Sequence, residues 1–227
     1  MSIGMVLPLV MAAFAQGPAA RSAAAWPCIS QQRRGESPRL RLLPVDQATT
    51  QPDFFSFRAR LQAAIARRDE PALLAAVDPG IRTSFGSDAG VDAFKARLRD
   101  PNSTLWADLA TTLALGGAFR SLTSFEAPYV FATWPEDVDS FQCTAVVGDL
   151  VRVRATVQPD SAVVTSVSFD VLQLLPGPGS GSAVHVRLWN GRMGYVAASF
   201  LRSPVEHRAI FQRAAGQWRL AAFVAGD

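Results

Sequence analysis

Apolar and polar positions fall into two textures along this chain. From Asp53, the residues Phe54, Phe57, Leu61 and Ile65 recur at helical spacing while Arg58, Arg60 and Gln62 turn elsewhere, which predicts an amphipathic helix with Asp53 as its N-cap. It closes near Arg67-Arg68, cations that suit a helix C-terminus. Asp69-Glu70-Pro71 then opens a second short helix that runs through Val77 and ends at Pro79-Gly80. Val91, Phe94 and Leu98 predict a third helix, with Ser87 or Asp88 as its cap. Leu105, Trp106, Leu109 and Leu113 predict a fourth, from Leu105 through Leu115, with Asn102 or Ser103 as cap and Gly116-Gly117 as its stop.

After Pro128 the pattern changes to short β-prone runs separated by turn residues. Val151 and Val153 alternate with Arg152 and Arg154. Val184-His185-Val186-Arg187-Leu188-Trp189 alternates in the same way, and Asn190-Gly191 predicts a tight hairpin turn into Tyr195-Val196, because both turn positions tolerate positive φ. Arg208 to Gln212, Ala215-Gly216 and Trp218 to Val224 read as a terminal hairpin.

Val151-Arg152-Val153-Arg154, Pro159-Asp160-Ser161 and Gly194-Tyr195-Val196 with Leu201 resemble the bacterial SH3 (SH3b) domain, over roughly Ala145 to Leu201. Ala155 and Thr156 depart from the Ser-Gly that many members carry after the arginine. The tail of the chain is similar to that of exported bacterial proteins containing SH3 domains. With the four predicted helices, the resemblance points to an α+β protein: a small helical N-terminal subdomain over 52–126, then an SH3-like antiparallel β-barrel with a terminal β-hairpin over 127–227. Such barrels bind extended peptides in a shallow groove lined by aromatics. It therefore implies Trp189 and Tyr195 as groove residues with Phe200 behind them, and a cell-wall peptide or an envelope protein as partner. Ordinary barrel core is the alternative for all three. The helical half offers a weaker likeness: Ala64-Ile65-Ala66-Arg67-Arg68-Asp69 with Leu73-Leu74 and Phe85-Gly86 resembles the opening of NTF2-like proteins, which implies a small-ligand pocket, although the long sheet of those proteins is not visible in the pattern that follows.

The N-terminus sets the expected location. Ile3 to Phe14 is a short apolar run ending in Ala13-Phe14-Ala15, the small-x-small pattern of a signal-peptidase site, so residues 1–15 read as a signal peptide and Gln16 as the mature start, in the periplasm or secreted. The run is shorter than the roughly 18 to 20 residues needed to span a bilayer, so no stable membrane insertion is expected once it is removed. Residues 16–51, rich in Ala, Pro, Arg, Ser and Gln, read as a flexible linker. Cys28 lies in that linker and Cys143 far along the chain. In an oxidising compartment they can pair, but pairing requires the arm to dock, and the mobility expected of it argues for separate thiols.

Charge narrows the partners. The net charge is +3, but Arg21, Arg33, Arg34, Arg39 and Arg41 face only Glu36 within 16–45, and 46–227 holds 17 basic against 18 acidic residues. The folded part has no electrostatic footprint for nucleic acid.

Catalytic groups are sparse. His185 and His207 are the only histidines, too few for a histidine-rich metal site. Cys143 followed by either has the order of wall-cutting cysteine peptidases, yet Cys143 enters a strand-like run, not a helix N-terminus where a thiol is activated. Ser87 follows Gly86 directly and so misses the Gly-x-Ser-x-Gly elbow. Glu136, Asp137 and Asp139 lack the oxygen count and glycine placement of a calcium loop. Gly177 to Ser182 has no lysine and no following helix, so it reads as a loop and not a phosphate cradle. The expectation is a non-enzymatic binder with neither cofactor nor metal.

Overall fold

The computed structural model describes residues 28, 39–86, 90–177 and 181–226. The expected signal segment over 1–15, most of the arm, Ser87 and Asp88 and the middle of the Gly177 to Ser182 loop lie outside the described residues.

Helix α1 (Pro52–Arg67) starts with proline, whose fixed φ and missing N–H suit a first turn. The predicted stripe is buried. Asp53, however, is not the N-cap: Gln51 holds that position, while the Asp53 carboxylate accepts from Trp218 Nε1 at 3.1 Å and faces Arg213 at 3.2 Å. Asp69 caps α2 (Glu70–Ala75) by accepting from Ala72 N at 3.1 Å. That helix ends early, because Val77 begins strand β1 (Val77–Arg82), which contains Pro79 and Gly80. The strand tolerates them because it lies at a sheet edge, with its register broken between Val77 and Arg82. Helices α3 (Val91–Arg99) and α4 (Leu105–Ala114) follow the predicted spacing, but Gly90, at φ 96°, holds the N-cap of α3 in place of Ser87 or Asp88. Thr104 is the N-cap of α4, and Ser103 Oγ accepts from Leu105 N at 3.2 Å.

The region expected to be wholly helical also holds the hairpin β2 (Ala118–Ser121) and β3 (Ser124–Ala127), followed by a short helix α5 (Tyr129–Ala132). The next strands are β4 (Cys143–Val146), β5 (Val151–Arg154), β6 (Val163–Val167), β7 (Val171–Leu174), β8 (Ala183–Arg187), β9 (Met193–Ala197) and β10 (Leu201–Arg202). The terminal hairpin is β11 (Arg208–Ala214) and β12 (Gln217–Val224). Ala215 and Gly216, at φ 49° and 78°, form its two-residue turn.

These strands make two sheets and an α+β protein. The first has the order β1-β12-β11-β3-β2, with β1 parallel to β12; the second has the order β10-β4-β7-β8-β9-β5-β6. The terminal hairpin therefore belongs to the sheet beside the helices, not to the β-rich half with which its sequence position groups it. The second sheet is inserted between β3 and β11. It is not a closed barrel, since its outer strands β10 and β6 do not pair with each other. A two-residue β10 presents too little ladder to complete a ring. The sheet nevertheless curls over one core, in which Val146, Val151, Val153, Val167, Leu172, Val186, Leu188 and Val196 are buried together.

The first core is aromatic. Phe54, fully buried, has the rings of Phe125, Trp218, Phe119 and Phe211 at 4.3, 4.8, 5.4 and 5.5 Å, so α1 is seated on the mid-chain hairpin β2–β3 and the terminal hairpin β11–β12 together.

From Arg39 onward the arm is docked, contrary to its expected mobility. Asp170 is fully buried, and a carboxylate taken out of water requires partners. Arg39 supplies a bidentate pair at 2.7 and 3.0 Å, Arg41 lies 3.8 Å away, and Ser168 N donates at 2.9 Å. The backbone joins in, with Leu42 N donating to Phe169 O and Val171 N to Leu40 O. Further on, Asp46 accepts from Arg58 of α1 at 2.7 and 2.6 Å. A disulfide joins Cys28 to Cys143, with the Cα atoms 5.6 Å apart, which corrects the expectation of separate thiols. A docked arm removes the objection to pairing.

Candidate binding groove

The groove begins with the alternation of β5. Val151 and Val153 point into the second core, so Arg152 and Arg154 share the outward face. Register extends that face sideways: Arg154 pairs with Tyr195 of β9, and Tyr195 with His185 of β8. The His185 and Tyr195 rings stack at 4.7 Å with 14° between their planes. Gly194 allows the strands to meet this closely, because a Cβ there would lie 2.6 Å from Arg154 O and 2.7 Å from Val153 Cγ1.

Phe200 ends a 3₁₀ turn (Ala198–Phe200) and is 47% exposed, so it is not core. Together with Leu150, Arg152, Arg154, Pro159 and Tyr195 it lines a cavity of about 700 Å³.

Trp189 does not join this cavity. Leu188 N donates to Arg192 O and Gly191 N to Leu188 O, so the hairpin loop is Trp189-Asn190-Gly191 and not the two-residue turn expected, with Gly191 at φ 81°. That places Trp189 four residues beyond His185, about 13 Å further along the strand direction. There its ring lies 4.2 Å under the Arg39 guanidinium and packs against the second core. Of the three predicted groove residues, the structure brings Tyr195 and Phe200 together and sets Trp189 apart. The sequence reading missed Arg152, Arg154 and Leu150. Their signal lay in the alternation itself, which turns Arg152 and Arg154 to the face opposite the buried Val151 and Val153.

A second cavity, of about 570 Å³, lies between α1, α2 and the turn of the terminal hairpin, lined by Phe57, Arg60 and Trp218 among others.

Other chemistry-bearing residues have visible structural work. The Cys143 sulfur is bonded to Cys28. Asp139 accepts from Phe141 N, Gln142 N and Gln142 Nε2 at 2.8 to 3.1 Å, bracing the turn before β4. Burial pushes the Tyr129 hydroxyl up to about 12, so it stays protonated at neutral pH. Among the described residues no group of three or more His, Cys, Asp or Glu could hold a metal ion.

His207 sits where the chain returns from the second sheet to the first. Its ring stacks on Phe223 at 4.9 Å and its Nδ1 is 3.6 Å from Asp108. Nearby, Arg202 donates to Thr112 Oγ1 and His207 O and pairs with Glu206. Burial holds the His207 imidazole below its ordinary value, with Arg97 and Arg202 adding repulsion that Asp108 and Glu206 only partly relieve. The unfolded chain therefore binds the proton more readily than the folded one, and stability falls as pH drops below roughly 6.5. Urea unfolding between pH 7.5 and 5.5 is expected to show this slope, and His207→Gln to flatten it. An unchanged slope in the variant would assign the effect elsewhere.

Neither a scan against protein-family models nor a search of curated proteins returns a match to this chain.

Proposed function

We propose that the protein is an exported, non-catalytic binder whose second sheet is an SH3b-like unit, taking a cell-wall peptide or an extended segment of an envelope protein. One observation carries this reading: Tyr195 and Phe200 converge on a cavity of about 700 Å³ on the outward face of a curled sheet. Flat, stiff aromatic side chains there provide contact area at little entropic cost. The Cys28–Cys143 disulfide supports export, since such bonds persist in oxidising compartments. No helix among the described residues is long and apolar enough to cross a membrane.

Tyr195→Ala is expected to weaken peptide binding by about 1 to 3 kcal/mol, the range of interface hot spots, with little change in melting temperature because the ring lies outside the core. Wild-type affinity in both Tyr195→Ala and Phe200→Ala would remove the groove. Incubation with purified cell wall separates the binder from an enzyme: sedimentation without release fits binding, whereas released muropeptides require catalysis.

The cavity between α1, α2 and the terminal hairpin favours a second reading, an NTF2-like small-ligand site in the helical lobe. Binding there would be indifferent to Tyr195→Ala.

A further inference from the structure

Arg152 and Arg154 stand two residues apart on one face of β5, about 7 Å along the strand. Arg154 is oriented by donating from Nη1 to Ser161 O at 2.6 Å. The Arg152 side chain is exposed, with no hydrogen-bond or ion-pair partner among the described residues. Among the described residues neither guanidinium is paired with a carboxylate, a state they share with Arg187 and Arg192 and that differs from Arg39, Arg58, Arg99, Arg120, Arg202 and Arg213. The one acid that lines the same cavity, Asp149, accepts through its Oδ1 from Ser168 Oγ and Leu150 N. Two like charges are thus held at the rim of a cavity walled by Leu150, Pro159, Tyr195 and Phe200, in a folded part that is not basic overall.

We infer that the groove selects a peptide bearing a carboxylate, which Arg152 and Arg154 hold while the ligand's apolar portion rests on Tyr195 and Phe200. This rests on the peptide-binding reading of the same groove. Guanidinium forks match a carboxylate in bidentate geometry, and such charge-assisted bonds are the strong ones. A phosphodiester backbone fits less well, because it requires a track of cations. Among the described residues that line the cavity, Arg152 and Arg154 are the only cations; His185 and Arg187 carry the same sheet face on along β8 but stand outside that lining.

The test is a titration of the full-length protein with a stem-type pentapeptide, Ala-D-Glu-Lys-D-Ala-D-Ala, as the free acid and with every carboxylate amidated. The free acid is expected to bind about tenfold more tightly at low salt, the size of one charge-assisted hydrogen bond. Arg152→Gln should abolish that preference, so that the variant binds the two peptides alike, and Arg152→Lys should restore part of it. Arg152 is exposed, so these variants are expected to melt as the wild type does. Equal binding of both peptides by the wild type would overturn the carboxylate inference. The groove reading would then still stand if Tyr195→Ala weakened both. Discrimination surviving in Arg152→Gln, or displacement of the peptide by a short oligothymidylate at equal affinity, would also overturn it. Failure of the wild type to bind either peptide would remove inference and groove together.

Discussion

Phe54→Ala is expected to lower the free energy of unfolding by about 3 to 5 kcal/mol, the usual cost of deleting a large buried aromatic. Phe54 is fully buried and has four aromatic rings within 5.5 Å, drawn from β2, β3, β11 and β12. Removing it leaves a cavity where α1 meets both hairpins of the first sheet, and those neighbours cannot all close inward at once. Against a typical domain stability of about 5 to 15 kcal/mol the loss is large. Urea titration followed by tryptophan fluorescence measures it, since Trp218 lies 4.8 Å away. A shift below about 1 kcal/mol would mean that the first core is looser than its ring geometry describes.

Losing the disulfide, by reductant or by Cys143→Ser, is expected to cost about 2 to 5 kcal/mol, because the bond closes a long loop and restricts the unfolded chain. The separation of 115 residues puts this bond among the long loops for which the entropic effect is greatest. Paired melts with and without reductant provide the comparison, with thiol titration of the unfolded, unreduced protein as a control. Two free thiols in that titration, or superimposable melts, would contradict the bond. Binding at the groove should survive Cys143→Ser while the variant remains folded, since Cys143 is on β4, several strands from Tyr195. Loss of a hydrolytic activity in a still-folded variant would instead restore the peptidase reading.

Local pattern carried most of the helices. Phe54, Phe57, Leu61 and Ile65 identify α1, and Val91, Phe94 and Leu98 identify α3, because a buried stripe is a property of neighbouring residues. What the pattern lacked was non-local. β1 carries Pro79 and Gly80, ordinary breakers, and is a strand only because β12 lies beside it, more than a hundred residues away. β2 has a single buried residue, Ala118, so it shows no alternation to read. The arm looked like linker because its partner, Asp170, is an unremarked acid until the fold buries it. The candidate groove followed the same division: the alternation of β8 and β9 turns Tyr195 to the face opposite the buried Val196, while the loop geometry that carries Trp189 away depends on hydrogen bonds that spacing alone does not specify.

The insertion of the second sheet between β3 and β11 also sets an order of events in time. As the chain emerges from its N-terminal end, every strand of the second sheet is available before β11 and β12 exist. The first sheet must wait, because β12 supplies the strand partner of β1 and β11 the inner partner of β3. Until the last strands arrive, α1 holds Phe54 and Phe57 with no completed sheet to receive them. The nascent protein thus passes through a stage in which the groove unit can be formed while the host core is still open, and that exposed aromatic surface is where a holding chaperone would bind.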